Sequence, residues 1–186
     1  MKNLVRSWAI AMVKFTLLSS VVAVTMFAQN AKDSTSKLVQ DVRAATQQYL
    51  NVNNATAAGY GPAFGCVSGS DHGAMGIHYL NPSLVPELFD STATASVDAA
   101  TPELLVYAPD SSGGPKRLVA LEYLTIKGPW DAQHNGVAPS LFGQTFNETD
   151  AGNRFGLPAF YSLHAWIWDP NPTDLFAPWN PRVSCP

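Results

Sequence analysis

The 186-residue chain has few charged side chains, 11 Lys and Arg against 14 Asp and Glu, while 46% of its residues are hydrophobic. Intrinsic disorder requires the opposite balance and is therefore excluded. The chain also lacks a glycine at every third position and runs of charged heptads, which excludes collagen and coiled coils. A net charge of −3 disfavours a basic nucleic-acid-binding protein. The length favours one domain with a hydrophobic core.

Common catalytic and nucleotide-binding motifs are missing as well. The sequence has no P-loop, no dinucleotide-binding fingerprint and no G-x-S-x-G element of serine hydrolases. Short metal-ligand spacings such as H-x-H are also absent. A metal or catalytic site would therefore have to combine residues that are far apart in the chain.

Residues 1–28 have the pattern of a secretory signal peptide. Two basic residues lie within the first six, and the stretch 15–27 is free of charge and about as long as the apolar region of such a peptide. We expect cleavage after Ala28 or, alternatively, after Ala31. An uncleaved anchor is the other interpretation, but the stretch is shorter than the ~20 residues that span a membrane.

The remaining chain, 29–186, is predicted to be a single exported β-rich domain, either secreted or periplasmic. Residues 1–28 carry three basic residues and no acidic one, so 8 basic and 14 acidic residues remain, a formal net charge of −6. This charge disfavours nucleic acid as a partner. No later segment is apolar for long enough to span a bilayer, so we expect no stable membrane span after cleavage.

Cys66 and Cys185 are the two cysteines of the chain. An even number of cysteines in an exported chain favours pairing, so we predict a disulfide between them. Two separate buried thiols are the alternative. The bond would attach the proline-rich C-terminal tail, which cannot form regular structure, to the body of the domain.

Hydrophobic periodicity predicts an α+β fold that is mostly β. A single apolar stripe at helical spacing predicts one helix over 33–50. After Cys66, short runs rich in β-branched and aromatic residues alternate with turn residues. These runs are the predicted strands: 75–80, 104–107, 118–126 and 161–168. Because no long helices separate them, we expect an antiparallel sheet or small barrel with the one N-terminal helix packed on it.

Side-chain alternation places a titratable residue at the centre of three predicted strands. Glu122 shares its face with aliphatic side chains, and His78 and His164 lie centrally in their own strands. A buried carboxylate without a partner is costly, so Glu122 requires one. His78, His164 and the nearby His72 are the candidates.

His72, His78, Glu122 and His164 together predict a site for a divalent transition metal: Mn, Fe, Cu or Zn. Two alternatives stay open. The same residues could line a metal-free polar pocket, or they could have purely structural roles as hydrogen-bonded core residues.

Three aromatic residues are candidates for the wall of a ligand pocket. Trp166 and Trp168 share the predicted strand face of His164, and Tyr123 follows Glu122 directly. Such side chains suit a flat or sugar-like ligand. The alternative is that they fill the core.

Five segments resemble a family of uncharacterised bacterial exported proteins: 73–79, 121–123, 141–144, 163–168 and 180–185. The likeness covers about residues 40–185 and implies a single exported domain, with no assigned activity or site. The order His, His, Glu, His is also similar to that of cupins, which are β-barrels with a three-His-one-Glu metal site. This second likeness is one of order alone, because five residues separate His72 from His78 where cupins have one.

These observations lead to three hypotheses about function. The first is an exported domain that binds a small ligand or a metal ion in a His/Glu-centred pocket. The second is a mononuclear metalloenzyme of the oxidoreductase type with a three-His-one-Glu site. The third is a structural protein of the cell envelope without a site.

Overall fold

A computed structural model of the chain describes residues 36–69 and 71–186. The predicted signal peptide, residues 1–28, lies outside the described residues. Contacts group Val39–Pro186 into one unit. Within the described part of the chain, no helix combines the length and the apolar character needed to cross a bilayer.

The predicted N-terminal helix is confirmed over its described part. Helix α1 covers residues 36–46 and continues into a 3-10 turn, Gln47–Leu50. A second short helix, α2, covers Val52–Ala57 and begins at Asn51, whose side chain accepts a hydrogen bond from a backbone amide of the first turn. Val42 of the apolar stripe is completely buried, as the helical spacing predicts.

The strands that follow α2 form the predicted antiparallel sheet. Six of them pair in the order β1-β2-β3-β4-β8-β7, and the sheet curls into an open half-barrel. The strands β5 and β6 form a separate two-stranded hairpin. The bounds are β1 Gly61–Gly69, β2 Gly73–Leu80, β3 Leu104–Pro109, β4 Pro115–Ile126, β5 Ser140–Leu141, β6 Gln144–Thr145, β7 Asn147–Thr149 and β8 Phe160–Ala165.

Short helical elements and one tight turn connect these strands. Two 3-10 turns, Pro82–Leu84 and Pro86–Leu88, lie between β2 and β3, and helix α3, Lys127–His134, follows β4. The β3–β4 hairpin closes on Asp110, whose Oδ1 accepts hydrogen bonds from the amides of Ser112 and Gly114. Aspartate is common in such turns because its carboxylate accepts hydrogen bonds from backbone amides two or more residues further along the chain.

The strands and helices differ from the sequence prediction in several places. The last predicted strand, 161–168, ends at Ala165, which is the last residue of β8 in register with β4. The Trp166 amide donates to the carbonyl of Leu175, and the Trp168 amide donates to that of Val119. Strands β1, β5, β6 and β7 and helix α3 also lie in segments for which the sequence predicts neither a strand nor a helix.

The two faces of the sheet have different neighbours. On one face, α1 is held by polar contacts: Arg43 Nε donates to the Ile167 carbonyl at 2.7 Å, and Trp168 Nε1 donates to Thr46 Oγ1 at 3.3 Å. On the opposite face lie two apolar clusters. One contains Ala74, Val106, Ala120, Trp166 and Val183, and the other contains Val85, Leu104, Leu124, Ile126 and Phe160.

The proline-rich C-terminal tail is attached to the sheet at two points. Asn180 and Ala74 exchange backbone hydrogen bonds of 3.1 and 3.2 Å. The predicted disulfide between Cys66 and Cys185 is confirmed, and it joins the first strand of the sheet to the penultimate residue of the chain. The tail is thereby held against β1 and β2 although it has no strand of its own.

Candidate metal centre

Three strands bring His78, Glu122 and His164 together. Glu122 of β4 lies directly opposite His164 of β8 in the register of that strand pair. His78 belongs to β2, which is separated from β4 by β3. Because the sheet curls, His78 reaches Glu122 across the intervening strand. The expectation that Glu122 lies within reach of both histidines is therefore met.

Each oxygen of the Glu122 carboxylate faces one imidazole. His78 Nε2 lies 3.4 Å from Oε2, and His164 Nδ1 lies 3.7 Å from Oε1. One potential ligand atom from each of the three residues lies within 4.8 Å of the others. Both nitrogen–oxygen distances exceed the 2.7–3.2 Å of good N–H···O hydrogen bonds. The three groups thus converge without closing strong hydrogen bonds among themselves.

Burial determines the charge state of this cluster. The exposed fractions of His78, Glu122 and His164 are 2%, 7% and 3%. Burial lowers the pKa of His78 to about 4 against the opposing effect of the Glu122 charge, and burial also lowers the pKa of His164 to about 4. Both imidazoles are therefore neutral at neutral pH, and neutral imidazole is the form that binds metals.

The Glu122 carboxyl responds to the same environment in the opposite direction. Burial raises its pKa, whereas His78 and a hydrogen bond from the Ser162 side chain partly hold the pKa down. A divalent cation bound to this carboxylate would remove the cost of burying its negative charge.

The second nitrogen of each imidazole is buried without a well-formed hydrogen bond. His164 Nε2 has no partner within the described structure, and His78 Nδ1 makes no hydrogen bond of good geometry, although the imidazole interacts with the Gly76 backbone. Such atoms are costly, so the cluster is not a satisfied polar network of the kind that stabilises a core. These nitrogens also lack the well-formed outer hydrogen bonds that metal-binding histidines usually make.

A small pocket, here called the aromatic pocket, adjoins the cluster on the side of His78 and Glu122. Its walls are apolar and mostly aromatic: Phe64, Leu124, Phe155, Leu157 and Phe160. The free space inside has about the size of one water molecule. The Trp166 ring is stacked against His164, with the ring centroids 6.3 Å apart. This arrangement can admit an ion or a very small molecule but not a sugar.

Of the four predicted metal ligands, the structure places His72 elsewhere. It is exposed and lies in an open cleft of about 230 Å³ that also contains Asp71 and Trp179. The loop that follows β1 carries His72 toward the C-terminal tail, so this side chain does not reach the buried cluster. The structure thus assembles two histidines and one glutamate.

Of the three predicted wall residues, only Trp166 lies beside the cluster. Trp168 follows the end of β8 and packs near Arg43 of α1, with the guanidinium carbon 6.0 Å from the ring centroid. Tyr123 points to the other face of β4, where its ring contacts Phe142 and Phe146. Adjacent residues of a strand point to opposite faces, so Tyr123 cannot share the surroundings of Glu122.

Sequence reasoning missed the residues that close the pocket. Phe64 lies in β1, a segment whose glycines and proline did not resemble a strand, and Phe155 lies in a loop without periodicity. No pattern in the sequence indicated either of them. Ser162 was detectable, because strand alternation places it on the face of His164.

Comparisons of the chain with protein-family models, with curated proteins and with solved structures find no match. The resemblance of five segments to bacterial exported proteins stays a prediction.

Proposed function

We propose that this chain is an exported metal-binding protein whose His78, Glu122 and His164 hold one divalent transition metal ion. The observation that carries the proposal is the pair of nitrogen–oxygen distances, 3.4 and 3.7 Å, in a buried cluster. Two ligand atoms bound to a tetrahedral ion at ~2.0–2.1 Å are about 3.3 Å apart. Both distances are near this spacing and too long for strong mutual hydrogen bonds, but they go to different oxygens of Glu122. One ligand atom from each residue lies within 4.8 Å of the others, so the three side chains would draw closer together around a bound ion.

The size of the surrounding space favours a metal over a small organic ligand. The aromatic pocket has room for about one water molecule, whereas ordinary ligand pockets measure ~300–1,000 Å³. A larger cleft of about 490 Å³ lies beside Leu88 and Phe89 and contains none of the three cluster residues. A metal ion is the ligand that suits the space available.

Export is the second part of the proposal. The Cys66–Cys185 disulfide is typical of proteins in oxidising compartments outside the cytoplasm. The basic residues and the uncharged stretch within residues 1–28 add the pattern of a signal peptide. We therefore propose that the mature protein functions in the periplasm or in the extracellular medium.

A metalloenzyme of the oxidoreductase type is the second candidate. Three protein ligands leave a coordination position open, as in catalytic metal sites, and the aromatic pocket adjoins the cluster. Two imidazoles and one carboxylate suit iron that reacts with oxygen. This form of the hypothesis uses His78, Glu122 and His164, without His72.

Metal binding by purified, chelator-treated protein tests the proposal. Equilibrium dialysis against Zn²⁺, Fe²⁺, Mn²⁺ and Cu²⁺ should show about one tightly bound ion per chain for at least one of these metals. His78→Ala and His164→Ala should each weaken the affinity by at least about 100-fold, because loss of even an outer-shell partner costs 10–100-fold. His72→Ala and His134→Ala are matched controls outside the cluster and should bind like the wild type. Equal metal content in all five proteins would refute the site.

Unfolding by urea separates the metal site from a purely structural cluster. Without metal, Glu122→Leu should be less stable than the triple variant Glu122→Leu, His78→Leu, His164→Leu, because the single change leaves both imidazoles buried beside an apolar group. A wild type that binds no metal, together with a triple variant of unchanged stability, would favour the structural protein without a site.

A further inference from the structure

The aromatic pocket lies on one side of the three candidate ligands. His78 and Glu122 line it, whereas the His164 ring is stacked against Trp166 and does not. A metal held by all three residues therefore has protein atoms on the His164 side and the aromatic pocket on the other. The coordination position that the three residues leave open would face this pocket.

The walls of the pocket determine what can occupy that position. Apart from His78 and Glu122, the lining is hydrocarbon, and the Phe64 ring meets His78 edge-on at 6.1 Å. A stable buried water needs two to four polar partners, and with His78 and Glu122 engaged by the metal the remaining walls supply none. An anion would lose its hydration without gaining hydrogen bonds from them. A neutral molecule that forms few hydrogen bonds in water avoids both penalties, because it needs no polar partners in the pocket and gives up little hydration.

The half-buried residues of the pocket lining lie in β1 and in the loop that precedes β8. Phe64 and Phe155 are half-buried and in contact, with ring centroids 5.1 Å apart. The loop is shaped by Asn153, whose Oδ1 accepts from the Phe155 amide and whose Nδ2 donates to the Leu157 carbonyl. Arg154 joins the loop to β1 by donating to the Ser68 carbonyl at 3.1 Å. The two phenyl rings, together with Leu157, are the half-buried part of the pocket lining and so the part nearest to solvent.

We propose that the aromatic pocket binds a neutral diatomic molecule, of the size and polarity of dioxygen, at the open position of the metal, and that Phe64 and Phe155 form its entrance. The inference rests on the proposed metal site. The proposed metal site does not by itself specify which external molecule binds the metal; the aromatic pocket specifies the class of that molecule. Organic molecules are excluded by size, and water and anions are disfavoured by the apolar walls.

Nitric oxide is the probe, because it is a neutral diatomic that gives Fe²⁺ a distinctive electron paramagnetic resonance signal. The full chain is loaded with Fe²⁺ without oxygen, its iron content is measured, and nitric oxide, azide or imidazole is added to separate samples. For the wild type we expect a nitrosyl signal, weak or no binding of azide, and no binding of imidazole, whose ring exceeds the space available.

Variants at the entrance test the role of Phe155. Phe155→Ala should let imidazole reach the iron, with a gain in affinity of about tenfold or more over the wild type. Phe155→Trp should slow the appearance of the nitrosyl signal by narrowing the entrance. Phe176→Ala is the matched control, because Phe176 is also half-buried but stacks on Phe142 outside the pocket lining.

The outcomes separate this inference from the proposed function. A chain that binds no iron or other metal overturns both. A chain that binds one iron but gives no nitrosyl signal, or that binds azide more tightly than nitric oxide, overturns only the ligand class. Imidazole binding that is equal in the wild type and in Phe155→Ala overturns the entrance.

Discussion

At the scale of single residues, buried carboxyl groups of this protein have two kinds of partner. Glu103 Oε2 accepts from the Leu124 amide at 3.0 Å, and Glu87 Oε1 accepts from the Thr125 hydroxyl at 2.7 Å and from the Ile126 amide. Strand β3 pairs with β4 only as far as Glu122. The β4 amides of Leu124 and Ile126 lie beyond that point, and Glu103 and Glu87 accept their hydrogen bonds. Glu122 itself faces two imidazoles, which is why it, and not Glu87 or Glu103, is the candidate metal ligand.

The buried carboxyl of Glu103 should make stability depend on pH. Burial raises its pKa from 4.5 to about 8, against the Leu124 amide, and the nearby carboxylates of Glu87 and Asp98 add to the rise. In the unfolded chain the group ionises near its ordinary pKa. Its contribution to stability is thus fully present below about pH 4.5 and is lost as the pH rises through about 8.

Urea unfolding of the wild type and of Glu103→Gln across this pH range measures the effect. Relative to the variant, the wild type should lose a few kcal/mol between the two pKa values, since one pKa unit corresponds to about 1.4 kcal/mol. The glutamine keeps an oxygen for the Leu124 amide and does not titrate. Parallel pH profiles of the two proteins would contradict the raised pKa.

At the scale of elements, strand alternation in β4 was the most informative pattern in the sequence. The strand is buried along most of its length, and its period of two correctly placed Glu122 on an apolar face. Strand β1 could not be predicted from the sequence, because Gly61, Pro62 and Gly65 are poor strand formers. It lies at the edge of the sheet, pairing only with β2, where such residues are tolerated. The order of strands in the sheet, which brings His78 close to Glu122, could not be predicted, because it depends on contacts between distant segments and not on local sequence patterns.

Strand β2 contains a glycine whose replacement should be costly. Gly76 has φ +118°, and a Cβ there would lie 2.6 Å from the Tyr107 carbonyl oxygen of β3. Gly76→Ala should lower the free energy of unfolding by about 2–4 kcal/mol, through backbone strain and the clash. Gly65→Ala in β1 is the matched control, because a Cβ there meets nothing within 4 Å. Urea unfolding should find the control within about 1 kcal/mol of the wild type; equal losses in both variants would contradict the close approach.

At the scale of the whole molecule, the disulfide and the C-terminal tail complete one side of the half-barrel. The pairing of Cys66 with Cys185 followed from the cysteine count, and the β-rich class followed from the run of short strands. The position of His72 could not be predicted from the sequence. Its separation from His78 along the chain does not determine the direction in which the loop between β1 and β2 turns. The tail that passes near His72 is positioned by the Ala74–Asn180 pairing, a contact that only the folded chain shows.

Reduction of the disulfide should loosen the tail before the sheet. The bond closes a loop with a sequence separation of 119 residues, and its loss should cost about 2–5 kcal/mol. The tail has few backbone hydrogen bonds of its own, whereas β3 and β4 form a continuous ladder. Hydrogen exchange after reduction should therefore accelerate in residues 171–186 while β3 and β4 stay protected. Simultaneous loss of protection in the tail and in both strands would contradict this order.

X-ray absorption at the zinc edge of the Zn²⁺-loaded chain tests the metal centre most directly. We predict two imidazole nitrogens and a carboxylate oxygen from Glu122 at ~2.0–2.1 Å, with outer-shell scattering from the two imidazoles. One imidazole should vanish in His78→Ala and one in His164→Ala, while His72→Ala should leave the spectrum unchanged. Zinc bound without imidazole scattering, or with the same two imidazoles in all three variants, would show that His78, Glu122 and His164 do not form the site.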